Sequence, residues 1–395
     1  MPSLQSSPGA SGVEIDHAAL AAMAAGETVD PAPRPRLPPM ARRGRGAVSN
    51  PPVRFENRAI EPFDDGWSTL DSLAELPPLP TTLTRDASKS VISWNESPDL
   101  GFDRAVNPYR GCEHGCIYCY ARPSHAYLGY SPGLDFETRI VFKPEVGALL
   151  EKELRKPGYV PRSMALGSNT DPYQPVERTL KLTRIVLEVL EKFGHPLSIV
   201  TKSAGVLRDL DILQRMAARN LVRVWLSVTT LDNQLARKMD PRAASPVRRL
   251  AAITALSQAG IPAGVLAAPM IPGLNDAELE KILEASAKAG ARNAGYVLLR
   301  LPHELRQMFE AWLGTHYPER ARHVLSLVRE TRAGMLNDSR FHNRFTGQGP
   351  YAALLSQRFD RAARALGLEG RTSLETRHFA VPGPGANQPG QLVLL

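Results

Sequence analysis

A chain of 395 residues, 43% of them hydrophobic, has room for one large domain with tails or for two domains. Its net charge of +8 suits an anionic partner, nucleic acid included, although no dense basic block with interleaved aromatics is present. No apolar run approaches the roughly 20 residues of a membrane helix, so no membrane partner is expected. Glu14 and Asp16 come before the first basic residue, Arg34, which is not the pattern of a presequence. All 3 cysteines are clustered, which excludes a disulfide scaffold and makes the cytoplasm the expected compartment.

Residues 1–88 read as a mostly disordered tail rich in proline and arginine. Within it His17 to Ala25 has helical character, Pro31 to Pro39 is extended, and Arg42, Arg43 and Arg45 read as a solvated linker able to touch phosphates. Phe63, Trp67 and Leu70 suggest a segment that packs on the domain. Residues 89–302 form the core, opening with a peripheral strand at Val91 to Trp94.

The stretch from Asn107 to Arg122 reads Asn-Pro-Tyr-Arg-Gly-Cys-Glu-His-Gly-Cys-Ile-Tyr-Cys-Tyr-Ala-Arg. It spaces Cys112, Cys116 and Cys119 as Cys-x3-Cys-x2-Cys. Soft thiolates this close select zinc, cuprous ion or an iron–sulfur cluster. A structural zinc site is closed by four protein ligands, and His114 or His125 could supply the fourth. An ordinary cubane takes four cysteines, so three leave one iron open for chemistry.

Strand and helix signals then alternate. Arg139 to Lys143 is a strand, followed by a helix from Pro144 to Arg155 with the proline in its first turn. Ser163 to Gly167, Leu197 to Thr201, Val222 to Val228, Ala263 to Ala268 and Tyr296 to Leu301 are further strands. Helices are expected over Val176 to Phe193, Val206 to Arg219, Pro246 to Ala259 and Asp276 to Ala289, the last with a capping box from Asn275 and Glu278. Short apolar strands each followed by a helix argue for a parallel sheet. Residues 303–370 change to helices bearing Arg320, Arg322, Arg329 and Arg332 as exposed cations, with a last helix from Tyr351 to Leu366. Residues 371–395 read as a loose tail. His303-Glu-Leu-Arg-Gln307 and Gly347-Gln-Gly349 match no zinc-protease or dinucleotide motif.

The cysteine run, with Tyr118 just before the last thiol, resembles the cluster loop of the radical S-adenosylmethionine (SAM) superfamily, in the branch that includes spore photoproduct lyase. The resemblance implies a partial (β/α)6 barrel with its cluster loop after an early strand. It also implies a [4Fe–4S] cluster on Cys112, Cys116 and Cys119, SAM chelated to the fourth iron, and a one-electron reductant as partner. On that reading Tyr118 lies beside adenine, and Ser168, Asn169 and Asp171 stand near the methionyl amine. Lys202 serves carboxylate or ribose, Ser227 and Thr229 lie near ribose, and Ala268 to Asn275 forms an adenine slot. The enzyme would then cleave SAM and abstract hydrogen from a substrate that the sequence does not name, nucleic acid being a candidate. Photoproduct lyase carries a further cysteine that returns hydrogen to the product; Ser168 stands near that place here, so Tyr173 becomes a candidate donor. The reading from another class is a non-catalytic nucleic-acid-binding protein with zinc or an iron–sulfur cluster.

Overall fold

Short runs of β-branched and leucine residues set ten strands among the described residues. They are β1 (Thr82–Arg85), β2 (Ile92–Trp94), β3 (Arg104–Val106), β4 (Tyr109–Arg110) and β5 (Arg139–Phe142). Then come β6 (Met164–Leu166), β7 (Leu197–Thr201), β8 (Val222–Ser227), β9 (Ala263–Met270) and β10 (Asn293–Leu298). The computed structural model describes residues 41–42, 44–55, 79–370 and 373–383, all within one unit of the chain. The segments His17 to Ala25, Pro31 to Pro39 and Phe63 to Leu70, and also Arg43, lie outside the described residues.

A seven-stranded sheet has the order β10-β9-β8-β7-β6-β3-β2. Every pair from β3 to β10 in it is parallel, with Val106 beside Leu166, Ile199 beside Val224 and Leu226 beside Val265. Only β2, on the rim, is antiparallel. Neighbours in the sheet follow one another in the chain, so the sheet winds in one direction as a barrel does. Helices Val146–Leu154, Leu182–Lys192, Leu210–Ala218, Pro246–Gln258 and Leu279–Lys288 fill the crossovers. The fold is a partial (β/α)6 barrel, and among the described residues no ladder joins β10 to β2.

Two strands differ from expectation. Arg139–Phe142 is not in the barrel; it pairs with β1 and β4 in a separate three-stranded sheet. The first barrel strand is β3, whose Arg-Ala-Val has too short an apolar run to be visible in the sequence. The last strand begins at Asn293 and ends at Leu298, so Arg300 and Leu301 have already left the sheet. Two helix readings change as well. The stretch from Val176 to Phe193 breaks at Lys181, which adopts a left-handed conformation (φ 54°). Asn275 and Glu278 form no capping box, because each is drawn into the barrel's end. Asn275 bonds Ile271 N, Thr229 O and Pro269 O, while Glu278 accepts from Thr230 and from Leu231 N.

Leu166, Leu197, Ile199, Val224, Leu226 and Val265 are fully buried in the main core. Each such side chain contributes about 1.5–3 kcal/mol on burial. A second core holds Ile117 and Tyr118 of the cysteine loop against Phe309 and Trp312 of helix Leu305–His316. The C-terminal helices thus close over the loop. Arg332 is not an exposed cation. It is buried, and donates to the carbonyls of Leu298 and Leu299 where β10 ends, and to those of Asn343 and Arg344.

The described parts of the expected tails are not loose. Arg45, Gly46, Ala47 and Val48 are buried beside the cysteine loop, and Arg45 donates to the carbonyls of Glu137 and Leu79 rather than facing solvent. Leu368, Glu369 and Gly370 pair with Arg292, Asn293 and Ala294 along the outer side of β10. Residues 373–383 lie across the opposite end of the barrel, where Ala380 N donates to Phe193 O.

Candidate metal centre and cofactor cleft

The cysteine loop leaves β4 directly and is tied down along its length. Cys112 N donates to Phe136 O (2.9 Å), Glu113 N to Gln174 Oε1 (2.9 Å) and Ile117 N to Met239 O (2.9 Å). Arg122, fully buried, reaches back from the end of the loop. Its Nε donates to Cys116 O (2.7 Å) and its Nη2 to Glu137 Oε1 (2.5 Å). A backbone held at this many points presents its side chains in fixed directions.

Cys112 and Cys116 are buried and Cys119 is half-buried. Burial pushes the Cys112 thiol well up, with the Asp171 carboxylate and the other two cysteines adding to it. Burial pushes Cys116 up to about 12, against the pull of Lys202. Both therefore carry protons until a metal displaces them. Among the described residues no three His, Cys, Asp or Glu side chains are placed to hold a single ion. A cubane makes a different demand, one thiolate on each of three irons, and three thiols on one tight loop match that donor count and softness. Neither histidine is set as a fourth ligand. His114 Nδ1 faces Asp171 Oδ2 at 3.3 Å, and His125 is packed between Tyr130 and Phe136.

The strand ends bring several expected residues to this loop. Asp171, after β6, is buried. It accepts from Thr201 Oγ1 (2.7 Å), Lys202 N (2.7 Å) and Tyr173 N (2.9 Å). Burial would raise its carboxyl, but His114 and these donors win and hold it down at about 2, so it stays charged. Lys202, after β7, places Nζ over the Tyr118 ring at 5.6 Å. The Tyr118 hydroxyl donates to Asp240 Oδ2 (3.1 Å), the same oxygen that receives Arg249 Nη2 (2.6 Å). Arg249 Nη1 then holds Ser227 O (3.0 Å) at the end of β8. The Thr229 hydroxyl and Asp240 Oδ1 are buried without a hydrogen-bond partner. Orphaned polar atoms at a strand end are what a polar ligand would satisfy, so the residues fit a cofactor there.

Ser168 and Asn169 are gripped by Asn107: its amide donates to Ser168 Oγ (3.3 Å) and its carbonyl oxygen accepts from Asn169 N (3.1 Å). Tyr173 is not beside Ser168. Its ring lies with Gly205 and under Arg208, in the core. The tyrosine whose hydroxyl donates to Ser168 O is Tyr120, next to Cys119. Asn107 and Arg122 went unassigned although they are the two ends of the recognised run. Asp240, Arg249 and Glu137 carry no sequence signal, since each acts through partners distant in the chain.

Comparison with known proteins agrees with this geometry. The Radical SAM superfamily profile matches residues 106–285. The Mycobacterium tuberculosis protein Rv2578c is 40% identical over 232 residues, spanning 58% of this chain and 68% of that protein. A radical SAM Nalpha-GlyT isomerase of Pseudomonas phage M6 is 23% identical over 299 residues, 74% of this chain and 57% of the isomerase. Among solved structures, spore photoproduct lyase complexed with dinucleoside spore photoproduct shares the fold. Its TM-score is 0.51 at 17% identity, covering 72% of this chain and 78% of the lyase.

Proposed function

This chain belongs to the radical SAM superfamily, and from that premise we propose that it cleaves SAM to abstract hydrogen from a nucleic-acid substrate. Cys112, Cys116 and Cys119 would hold a [4Fe–4S] cluster that supplies one electron to the sulfonium of SAM and so provides the 5′-deoxyadenosyl radical. The observation that supports this most is the meeting of the cysteine loop with consecutive strand ends. Asp171 after β6, Lys202 after β7 and Ser227 after β8 all connect to Tyr118 or to a cysteine through direct contacts.

In this reading Lys202 offers a mobile cation to the methionyl carboxylate or ribose. Asp171 stays ionised and orients the turn carrying Lys202. Thr229, with its unpaired hydroxyl, and Ser227 serve the ribose. Ser168 and Asn169, fixed by Asn107, stand by the methionyl amine, and Tyr118 lines the adenine side. The barrel's part in the chemistry is positioning and exclusion of water. Nucleic acid as the substrate class is supported by the basic surface, and by the names of two similar proteins, one bound to a dinucleoside photoproduct and one an Nalpha-GlyT isomerase.

Anaerobic reconstitution with iron and sulfide, then dithionite and SAM, should release 5′-deoxyadenosine. A fully loaded cluster that leaves SAM intact would defeat the proposal. A preparation holding about one zinc per chain and no iron would instead favour a non-catalytic binding protein.

A further inference from the structure

Residues 44–48 stand outside every role assigned so far, yet they touch the cysteine loop backbone to backbone. Gly46 lies against Gly115, the residue just before Cys116. A Cβ built on Gly46 would sit 1.8 Å from Gly115 O, and one on Gly115 would sit 2.7 Å from Glu137 Oε2. Gly115 also has a left-handed φ of 68°, so this contact leaves no room for a side chain on either strand of chain.

One fully buried carboxylate joins the two segments. Glu137 Oε2 accepts from Gly46 N (3.0 Å), and Oε1 accepts from Ala47 N (2.8 Å) and from Arg122 Nη2 (2.5 Å). Arg122 passes the connection on to Cys116 O. The flanking chain adds further ties: Asn50 and Asp135 exchange two hydrogen bonds, and Ser131 Oγ donates to Pro51 O (2.6 Å). A buried ion pair is seldom retained for its net contribution to stability, whereas it is well suited to fixing one arrangement.

We propose that residues 44–48 are a strap latched by Glu137, and that this latch positions the cysteine loop and sets how firmly it holds its iron–sulfur cluster. The proposal rests on the cluster reading above. Glu137 and Arg122 are positioning residues, since neither touches the thiols. Outer partners of this kind set metal retention by roughly 10- to 100-fold. Binding linkage is reciprocal, so a loaded cluster must in turn hold the strap more tightly.

The test uses the full chain, reconstituted anaerobically, with bathophenanthroline disulfonate as the iron trap. Glu137→Gln strands Arg122 as a buried unpaired cation, so Gly46→Ala is the deciding variant, because it presses the strap away and leaves the ion pair in place. Iron release should speed up about 10- to 100-fold in Gly46→Ala. It should stay at the wild-type rate in Gly314→Ala, whose new Cβ meets open space. In the wild type, hydrogen exchange of peptides spanning 44–53 should slow on loading, and Gly46→Ala should lose that slowing. Wild-type release from Gly46→Ala, or strap exchange indifferent to loading, overturns the latch. A wild-type protein that takes up neither iron nor sulfide overturns the cluster reading and the latch together, a result distinct from either of those.

Discussion

The two ends of the barrel are built from different chemistry. At the carboxyl ends of the strands stand thiols, an ionised Asp171, the Lys202 ammonium, and hydroxyls with unfilled hydrogen bonds. At the amino ends, Phe193, His195, Tyr159 and Phe379 pack ring against ring, and Arg104 lies over Trp94 and Tyr159. There the polar atoms are answered within the protein: His195 Nε2 meets the Tyr159 hydroxyl at 2.8 Å and Nδ1 meets Pro196 O at 3.0 Å. One end keeps binding capacity in reserve, and the other spends all of it on cohesion. Barrel folds in general divide chemistry and stability in this way.

The sharpest way to break the comparison is at the reactive end. Cys119→Ala should abolish iron loading and reduce 5′-deoxyadenosine formation to background. Circular dichroism of the metal-free protein should be unchanged, because this thiol is only half-buried. Next in size is Asp171→Asn, which removes the charge facing His114 and weakens the anchor on Lys202 N. SAM affinity measured by titration should fall about 10- to 100-fold, with a stability loss of about 1.5–3 kcal/mol. Equal SAM affinity in this variant would place Asp171 on the structural side.

At the cohesive end the expectation is reversed. Phe193→Ala, at a fully buried ring, should cost about 3–5 kcal/mol in denaturant unfolding. The rate of SAM cleavage per folded molecule should not change. The smallest effect is a pH dependence. Burial, opposed by the Pro196 carbonyl and aided by the Arg104 charge, lowers the His195 imidazole to about 4 from its ordinary 6.5. The unfolded chain therefore takes up this proton first as pH falls. The His195 contribution, about 3 kcal/mol, is complete above pH 6.5, declines as pH falls toward 4, and is gone below that. His195→Gln should flatten the stability profile across this window; a slope as steep as the wild type's would assign the dependence to other groups.

Legibility in the sequence followed the range of the forces involved. Leu197–Thr201, Val222–Ser227 and Ala263–Met270 were readable because runs of apolar residues reveal a strand buried on both faces. The cysteine run was readable because ligand spacing is a local property. β3 was hidden, since three residues headed by arginine carry no period. Arg45 and Arg332 looked like surface charge, because only the fold supplies the carbonyls that receive them. The break at Lys181 and the diversion of Asn275 and Glu278 have the same origin: tertiary partners overrode a local preference. Tyr120 rather than Tyr173 reached Ser168 because the distances that matter there run between loops 48 residues apart.

A sheet that does not close on itself has two bare rims, and each is a template onto which another molecule could add a strand. In this protein β2, a strand of three residues, occupies one rim, and residues 368–370 bond along the other. The barrel can therefore stay open enough to admit a large substrate without inviting self-association through its edges.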